Sequence, residues 1–331
     1  MSSAEVTAPK PLTFTLLRLL SDGEFHSGEV LAQQLGVSRA SVNIALQNVE
    51  QYGLTLFSVR GRGYRLIDAP QWLDENKVSA GLATPELFHI EMTDTAVSSN
   101  TVLLQRAALG ASCGSVLAVE WQSAGRGRVG RVWHSGLGNA LTFSLLWRFE
   151  FGLSAISGLS LAVGVAMMRA LGKLGVAGIG LKWPNDILTS RGKLAGILIE
   201  AQGDMLGPSA VVIGIGLNLR LPRTVQQHID QPVTDLAHSV GEMPERNRLL
   251  ALLLQELANM LGVFAKRGFS PLRTEWESYH VYQNKQVKML LPDGTQTIGV
   301  VHGVNDEGAL RVETKQGMQI FHAGEISLRE A

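Results

Sequence analysis

From Leu12 to Leu20 the apolar residues Phe14, Leu16, Leu17 and Leu20 recur at helical spacing, and Asp22-Gly23 closes the segment. Ser27 can cap a second helix running through Leu35, Gly36-Val37 turns the chain, and Ser38 caps a third helix. Along that third helix Val42, Ala45, Leu46 and Val49 fall at i, i+3, i+4 and i+7, a single buried stripe ended by Gly53. Two short strands follow, Leu54 to Val59 and Tyr64 to Ile67, joined by Arg60-Gly61-Arg62-Gly63.

Asp68-Ala69-Pro70 marks a boundary, because proline disfavours helix in the residue before it, and 69–86 reads as a polar linker. From 87 to 280 the pattern is mixed α/β. Strand-like runs at 87–92, 116–121, 140–147, 195–200 and 210–217 alternate with helical ones at 100–109 and 156–174. The stretch 219–244 is irregular and reads as a mobile loop. A long helix after Pro244 carries Leu250, Leu253, Leu254, Leu257, Leu261 and Phe264 on its inner face. In 281–331 the pattern changes to short strands, Val287 to Leu291, Gln296 to Val301, Ala309 to Glu313 and Met318 to Phe321. The turns between them are Pro292-Asp293-Gly294, Asn305-Asp-Glu-Gly308 and Gln316-Gly317, which predicts a small β-barrel.

Composition narrows the function classes. At 331 residues the chain has the length of two or three domains. Its 29 basic and 29 acidic residues cancel, so charge acts locally if it acts at all. Cys113, the single cysteine, excludes an internal disulfide, and Met1-Ser2-Ser3-Ala4-Glu5 shows no signal peptide; both favour a cytoplasmic protein. Eighteen uncharged residues between Glu150 and Arg169 touch the lower limit for a membrane span. Their serines and glycines favour a buried helix reaching Leu174, and no membrane partner is expected.

Three helices followed by a basic hairpin resemble a winged helix-turn-helix over 1–68. The third helix would enter a major groove while the hairpin touches phosphates. Ser38, Arg39, Ser41, Asn43, Arg60 and Arg62 are the candidate DNA contacts, with Arg65 nearby. The bland alternative is an interaction module that binds no DNA, since 1–68 holds six basic and six acidic residues. Against it, four arginines face one glutamate between Ser38 and Arg65. Few phosphate contacts then mean modest, dimer-dependent affinity.

Two stretches hold the candidate chemistry: Gly125-Arg126-Gly127-Arg128-Val129-Gly130-Arg131, and Lys182-Trp183-Pro184-Asn185-Asp186 followed by Lys193. Glycines let backbone close round a ligand, and guanidinium forks match phosphate or carboxylate. Gly125-x-Gly127-x-x-Gly130 mimics a dinucleotide fingerprint, but that fold needs a helix next. A turn at Gly136-Leu-Gly138-Asn139 and a strand follow instead, so the dinucleotide reading is rejected. Ser98, Ser99 and Gln122 suit an uncharged polar head group; alone, Ser98, Ser99 and Asn100 would mean a helix cap and Gln122 would mean little. Arg126, Arg128, Lys182 and Lys193 suit a polyanion; alone the lysines would mean solvated strand ends. Asp186 suits a base or a partial Mg²⁺ ligand, and Trp133 and Trp183 an apolar wall. Together they fit activation of a carboxylic acid by ATP, in which fixed cations offset charge developing at the α-phosphorus.

Gly125-Arg-Gly-Arg-Val-Gly-Arg131-Val-Trp133, Lys182-Trp-Pro-Asn-Asp186, Lys193-Leu-Ala-Gly-Ile197 and Gly214-Ile-Gly-Leu-Asn218 together resemble the biotin protein ligases. With the N-terminal helix-turn-helix the likeness is to bacterial bifunctional biotin ligases and biotin-operon repressors. It runs from about Phe14 to Leu328, and Gly324-Glu325-Ile326-Ser327-Leu328 fits that family's last strand.

The resemblance implies a central domain similar to class II aminoacyl-tRNA synthetases and an SH3-like C-terminal barrel. It implies that biotin and ATP, with Mg²⁺, give biotinoyl-5′-AMP, and that biotin then passes to a lysine of biotin carboxyl carrier protein. It places Ser98, Ser99, Asn100, Gln122 and the Arg126-Gly127-Arg128 backbone at the biotin head. Trp133, Gly196 and Asn218 join the substrate site, and Arg128, Lys182, Asp186 and Lys193 form the catalytic set. It further implies an adenylate-promoted homodimer on operator DNA. Two departures stand out: Val97-Ser98-Ser99-Asn100 where the family often reads Asp-Ser-Thr-Asn, and no lysine in Val42-Asn43-Ile44-Ala45. Rival readings are a ligand-sensing transcription factor without catalysis, and a lipoate or octanoate ligase.

Overall fold

The computed structural model describes residues 8–291, 294–323 and 327–330. The start read at Met1–Glu5, the turn residues Pro292-Asp293 and the terminal Gly324-Glu325-Ile326 lie outside the described residues.

The N-terminal helices are α1 (Pro11–Leu19), α2 (Gly28–Leu35) and α3 (Arg39–Leu46). Phe14, Leu16, Leu17 and Leu20 meet Leu31, Val42 and Leu46 in one buried cluster. Ser27 and Ser38 cap α2 and α3 by accepting from the amides of Val30 and Ser41. Helix α3 stops at Leu46, earlier than the apolar stripe predicts. Gln47 turns extended and Asn48 takes a left-handed φ of 63°, which breaks the helix, and Val49–Tyr52 continues as a 3₁₀ turn that still buries Val49. Strands β1 (Thr55–Val59) and β2 (Gly63–Ile67) pair as the wing, and an antiparallel bridge from His26 to Tyr64 adds a third segment beside β2.

The next segment departs from a polar linker. It contains α4 (Glu75–Ala80), capped by Asp74, and it buries Leu73, Val78 and Leu82 in the main core. Its polar composition hid three widely spaced anchors. The N-terminal domain is also seated on the central one: Tyr52 meets Trp121 edge-on at 5.8 Å, and Leu137 N donates to Tyr52 O at 2.8 Å.

The central sheet comprises β3 (His89–Ala96), β4 (Ser115–Gln122), β5 (Ala140–Phe149), β6 (Ile179–Lys182), β7 (Asp186–Thr189), β8 (Gly192–Gly203) and β9 (Ser209–Asn218). Their order is β3-β4-β5-β9-β8-β7-β6, parallel between β3 and β4 and antiparallel elsewhere. Helix α5 (Ser99–Ala108) packs through Leu103 and Ala107 on Leu117, Val119 and Leu146. Helix α6 (Leu159–Lys173) is the buried helix expected from the uncharged run, and it packs against another element of the main core. After the short α7 (Arg223–Gln226) comes that element, α8 (Arg246–Arg267), whose six inward residues are all 1% exposed or less. Among the described residues α8 alone has the length and hydropathy of a membrane span, but 61% of that window is buried in the protein.

Helix α9 (Arg273–Tyr279) leads to β10 (Gln286–Leu290), β11 (Gln296–Val304), β12 (Leu310–Thr314), β13 (Gly317–Phe321) and β14 (Ser327–Glu330). These form an antiparallel five-stranded sheet in the order β13-β12-β11-β10-β14. At the junction His280 lies 4.5 Å from the Trp276 ring, and neither imidazole nitrogen meets full hydrogen-bond geometry among the described residues, although the nearby Gln283 side chain partly opposes the effect of burial. Burial therefore holds its pKa down at about 4. The unfolded chain binds a proton that the folded one refuses, so this contribution is present above the ordinary value of 6.5 and lost as pH falls towards 4. Urea unfolding should show about 2 kcal/mol less stability at pH 5 than at pH 7 from this residue, and His280→Phe should flatten that part of the profile.

Candidate active site

Every candidate catalytic and substrate-binding residue lines one cavity of about 170 Å³. Sheet order explains the division of labour. Ser98, Ser99 and Gln122 follow β3 or end β4 at one flank; Lys182, Asp186 and Lys193 belong to β6, β7 and β8 at the other. Lys182 and Asp186 are partners in the β6–β7 register, so the turn Trp183-Pro184-Asn185 brings cation and carboxylate together. Tandem strands this short were not visible in the apolar pattern.

The neutral flank is tightly wired. Ser98 occupies the N-cap position of α5, but its hydroxyl makes no capping bond. Ser99 N donates to Gln122 Oε1 at 2.6 Å, and Ser144 Oγ reaches Ser99 Oγ at 2.7 Å and Asn100 Oδ1 at 2.5 Å. Ser98, Ser99, Asn100 and Ser144 are all buried, so these bonds are shielded from water.

The glycine-rich loop crosses above. It closes on itself where Gly127 N donates to Arg131 O at 2.7 Å and Trp133 N to Gly125 O at 2.8 Å. Arg128 Nη1 donates to Asn185 Oδ1 at 3.2 Å, which joins the two motifs directly. Burial pulls the Arg128 guanidinium below its ordinary pKa, Asp186 opposes that shift, and Arg131 adds to it. Lys193 Nζ sits 2.6 Å from Asp186 Oδ1, both side chains about 15% exposed, as an ion pair whose angles fall outside hydrogen-bond geometry. Arg128, Lys193 and Asp186 therefore share a poorly hydrated volume, where their fields act strongly on an incoming anion.

Trp133 forms the apolar wall, 5.9 Å from Lys193 Nζ to ring centre. Gly214 and Gly216 lie on one face of β9 by the two-residue period. A Cβ at Gly216 would stand 2.4 Å from the Trp133 ring, and one at Gly214 would stand 2.2 Å from Asn100 Oδ1. Gly216→Ala should therefore displace the indole and raise KM for the acid substrate about tenfold or more, with a small change in melting temperature. Steady-state kinetics beside thermal melts checks this.

The sequence reading missed several lining residues. Ile229, Gln231 and Val233 come from the irregular stretch 219–244, and Leu328 from the C-terminal sheet. The 219–244 stretch itself contains α7 and a 3₁₀ turn at Leu236–His238, with Val225, Thr234, Asp235 and Leu236 buried. No local motif marks such long-range contributors. Trp183 lines the cavity too, but its indole is also spent in the core, donating to Gly308 O at 3.0 Å.

In the N-terminal domain the DNA candidates divide. The Ser38 hydroxyl is engaged as the α3 cap, with Ser41 Oγ 2.9 Å away. Arg39, Asn43, Arg60 and Arg62 are exposed, the last with its guanidinium 4.0 Å from the Phe25 ring centre.

Sequence comparison bears directly on this geometry. The bifunctional ligase/repressor BirA of Salmonella typhimurium is 38% identical over 317 residues, covering 96% of this chain and 97% of its own length. The chain belongs to the BirA family of bifunctional ligase/repressors. BirA of Escherichia coli matches at 37% over 316 residues, covering 96% of this chain and 97% of its own. The biotin–[acetyl-CoA-carboxylase] ligase of Mycobacterium tuberculosis matches at 32%, covering 77% of this chain and 93% of its own. Family models agree in chain order: an HTH domain at 13–65, the biotin/lipoate A/B protein ligase family at 95–218, and the biotin protein ligase C-terminal domain at 283–329. Among solved structures, the Aquifex aeolicus biotin protein ligase in complex with biotin and ATP aligns with a TM-score of 0.63 and 26% identity, covering 73% of this chain and 99% of its own.

Proposed function

We propose that this BirA-family chain joins biotin to ATP, forming biotinoyl-5′-AMP and pyrophosphate, and then transfers biotin to a lysine of a biotin carboxyl carrier protein. The observation that carries this is the single cavity with neutral hydrogen-bonding groups at one flank and Arg128, Lys182, Lys193 and Asp186 at the other.

In the first step a biotin carboxylate oxygen attacks the α-phosphorus, the bond to the bridging oxygen breaks, and pyrophosphate leaves. Ser98, Ser99, Asn100, Gln122 and the backbone of 126–128 hold the uncharged head, while Trp133, Gly196 and Asn218 shape the walls. Arg128 and Lys193 meet carboxylate and phosphate oxygens, and Lys182 adds positive potential; all are in place before charge develops. In the second step the acceptor amine attacks the acyl carbon and AMP leaves with the bonding pair.

Asp186 is assigned to take the proton from that amine, supported by its position between Lys182 and Lys193. Asp186→Asn should slow transfer from preformed adenylate about 10²-fold; an unchanged transfer rate removes the role. Mg²⁺ fits as an ion carried mainly by the triphosphate, with Asp186 the carboxylate that lines the cavity among the described residues. When bound, it would neutralise non-bridging phosphate oxygens.

The N-terminal domain is assigned to operator DNA through Arg39, Asn43, Arg60 and Arg62, with an adenylate-bound homodimer supplying two half-sites, all in the cytoplasm. Intact mass of a carrier domain after incubation with ATP and either biotin or lipoate tests the ligase reading. A gain of one biotinoyl group supports it, and a lipoyl gain or none overturns it. Retention of operator DNA with and without biotin and ATP tests the repressor reading.

A further inference from the structure

Glu200 belongs to none of the sequence motifs, and it stands on β8 beyond the stretch that pairs with β7. Its carboxylate receives two partners from different elements. Arg126 of the glycine-rich loop reaches Oε1 at 2.7 Å through Nη2 and Oε2 at 3.2 Å through Nη1. Asn100 Nδ2 of α5 donates to Oε2 at 3.0 Å. Behind Asn100 the polar chain continues through Ser144 to Ser99 and Gln122, the neutral flank of the cavity. Glu200 is 20% exposed while Arg126 is 47% exposed, so the acid is the fixed post and the arginine the tether.

Backbone bonds close the loop on itself, and side chains tie it to the body of the domain. Those ties include Arg126 to Glu200 and Thr101, and Arg128 to Asn185. The Arg128 tie lies inside the cavity, close to Asp186. The Arg126 tie meets the neutral flank through Asn100, which shares the Glu200 carboxylate.

We propose that Glu200 is a positioning residue for the acid-substrate end of the cavity. Its charge clamps the loop through Arg126 and orients Asn100, so that the loop stays closed over the acyl adenylate between the two half-reactions. This rests on the ligase reading above. The clamp touches no reacting atom, so it governs binding and retention more than the chemical step.

The test uses the full chain with Glu200→Gln, which keeps an acceptor for Asn100 but removes the charge from Arg126. Expected are a KM for biotin raised about tenfold, kcat within about twofold, and biotinoyl-AMP escaping into solution about tenfold faster. Melting temperature should stay within about 2 °C, because a half-exposed ion pair contributes little to stability. Arg126→Met should give the same phenotype, and the double variant should be no worse than either single one. Glu91→Gln, which breaks the exposed 2.6 Å pair with Arg106 outside the cavity, serves as the unchanged control. Unchanged KM and retention in Glu200→Gln, additive effects in the double variant, or a fall in kcat with melting temperature at constant KM would each overturn the proposal. If the wild-type chain itself makes no adenylate, the ligase reading fails instead.

Discussion

Replacing Lys193 by alanine is expected to lower biotin-dependent pyrophosphate release by about 10²–10³-fold, the usual loss when one fixed donor to developing charge is removed. Lys193 is the cation best placed for this. Its ammonium sits 2.6 Å from Asp186 and 5.9 Å from the Trp133 ring centre, with its side chain 15% exposed. In so poorly hydrated a site water cannot substitute for the lost charge. A second consequence comes from the pairing: without Lys193, the Asp186 carboxylate adds repulsion towards an incoming anion. Lys193→Ala/Asp186→Asn should therefore recover part of the loss in the adenylation step, although it remains slow in transfer. Single-turnover kinetics on the two half-reactions separates these effects. Equal, additive losses in both steps would contradict the pairing.

Arg246→Met should destabilise the folded chain by about 3–5 kcal/mol, the penalty for stranding a buried charge. Arg246 and Glu120 are an ion pair with side chains 2% and 3% exposed. The guanidinium also donates to Gln71 O at 3.0 Å and Ala140 O at 2.8 Å, while Glu120 accepts from Leu73 N at 2.8 Å. One buried pair thus joins the segment after the winged domain, β4, β5 and the start of α8. Melting temperature should fall by about 10 °C on the usual scaling for chains of this size. Pairing the change with Glu120→Gln should restore most of it, because no net charge is then left buried. Because Glu120 directly precedes Trp121 and Gln122, Arg246→Met should also weaken biotin binding. Thermal melts of the single and double variants decide the matter.

The motifs were legible because their residue types are chemically unusual in combination. Arginines among glycines and a lysine–proline–carboxylate turn do not arise from packing needs, and the cavity contains both. The inner faces of α6 and α8 were legible for another reason: period and burial coincide in long helices. What escaped depended on partners distant in sequence. Glu200 reads as an ordinary polar position in a strand until the fold sets Arg126 and Asn100 against it. The anchors Leu73, Val78 and Leu82 are too sparse to outweigh their polar neighbours. The early end of α3 turns on an extended Gln47 and a left-handed Asn48, which an apolar stripe running through Val49 conceals.

The central claim is that the loop arginines and the lysine–carboxylate turn act together on a carboxylic acid and a nucleotide. It is tested most directly by mixing the full-length chain with biotin, ATP and Mg²⁺ in the absence of any carrier protein and counting pyrophosphate. One equivalent should appear per chain in a rapid burst, with biotinoyl-AMP retained on the protein through gel filtration and both lost in Lys193→Ala. Pyrophosphate released equally well without biotin, or no burst at all from chain that still binds biotin and ATP, would contradict the account.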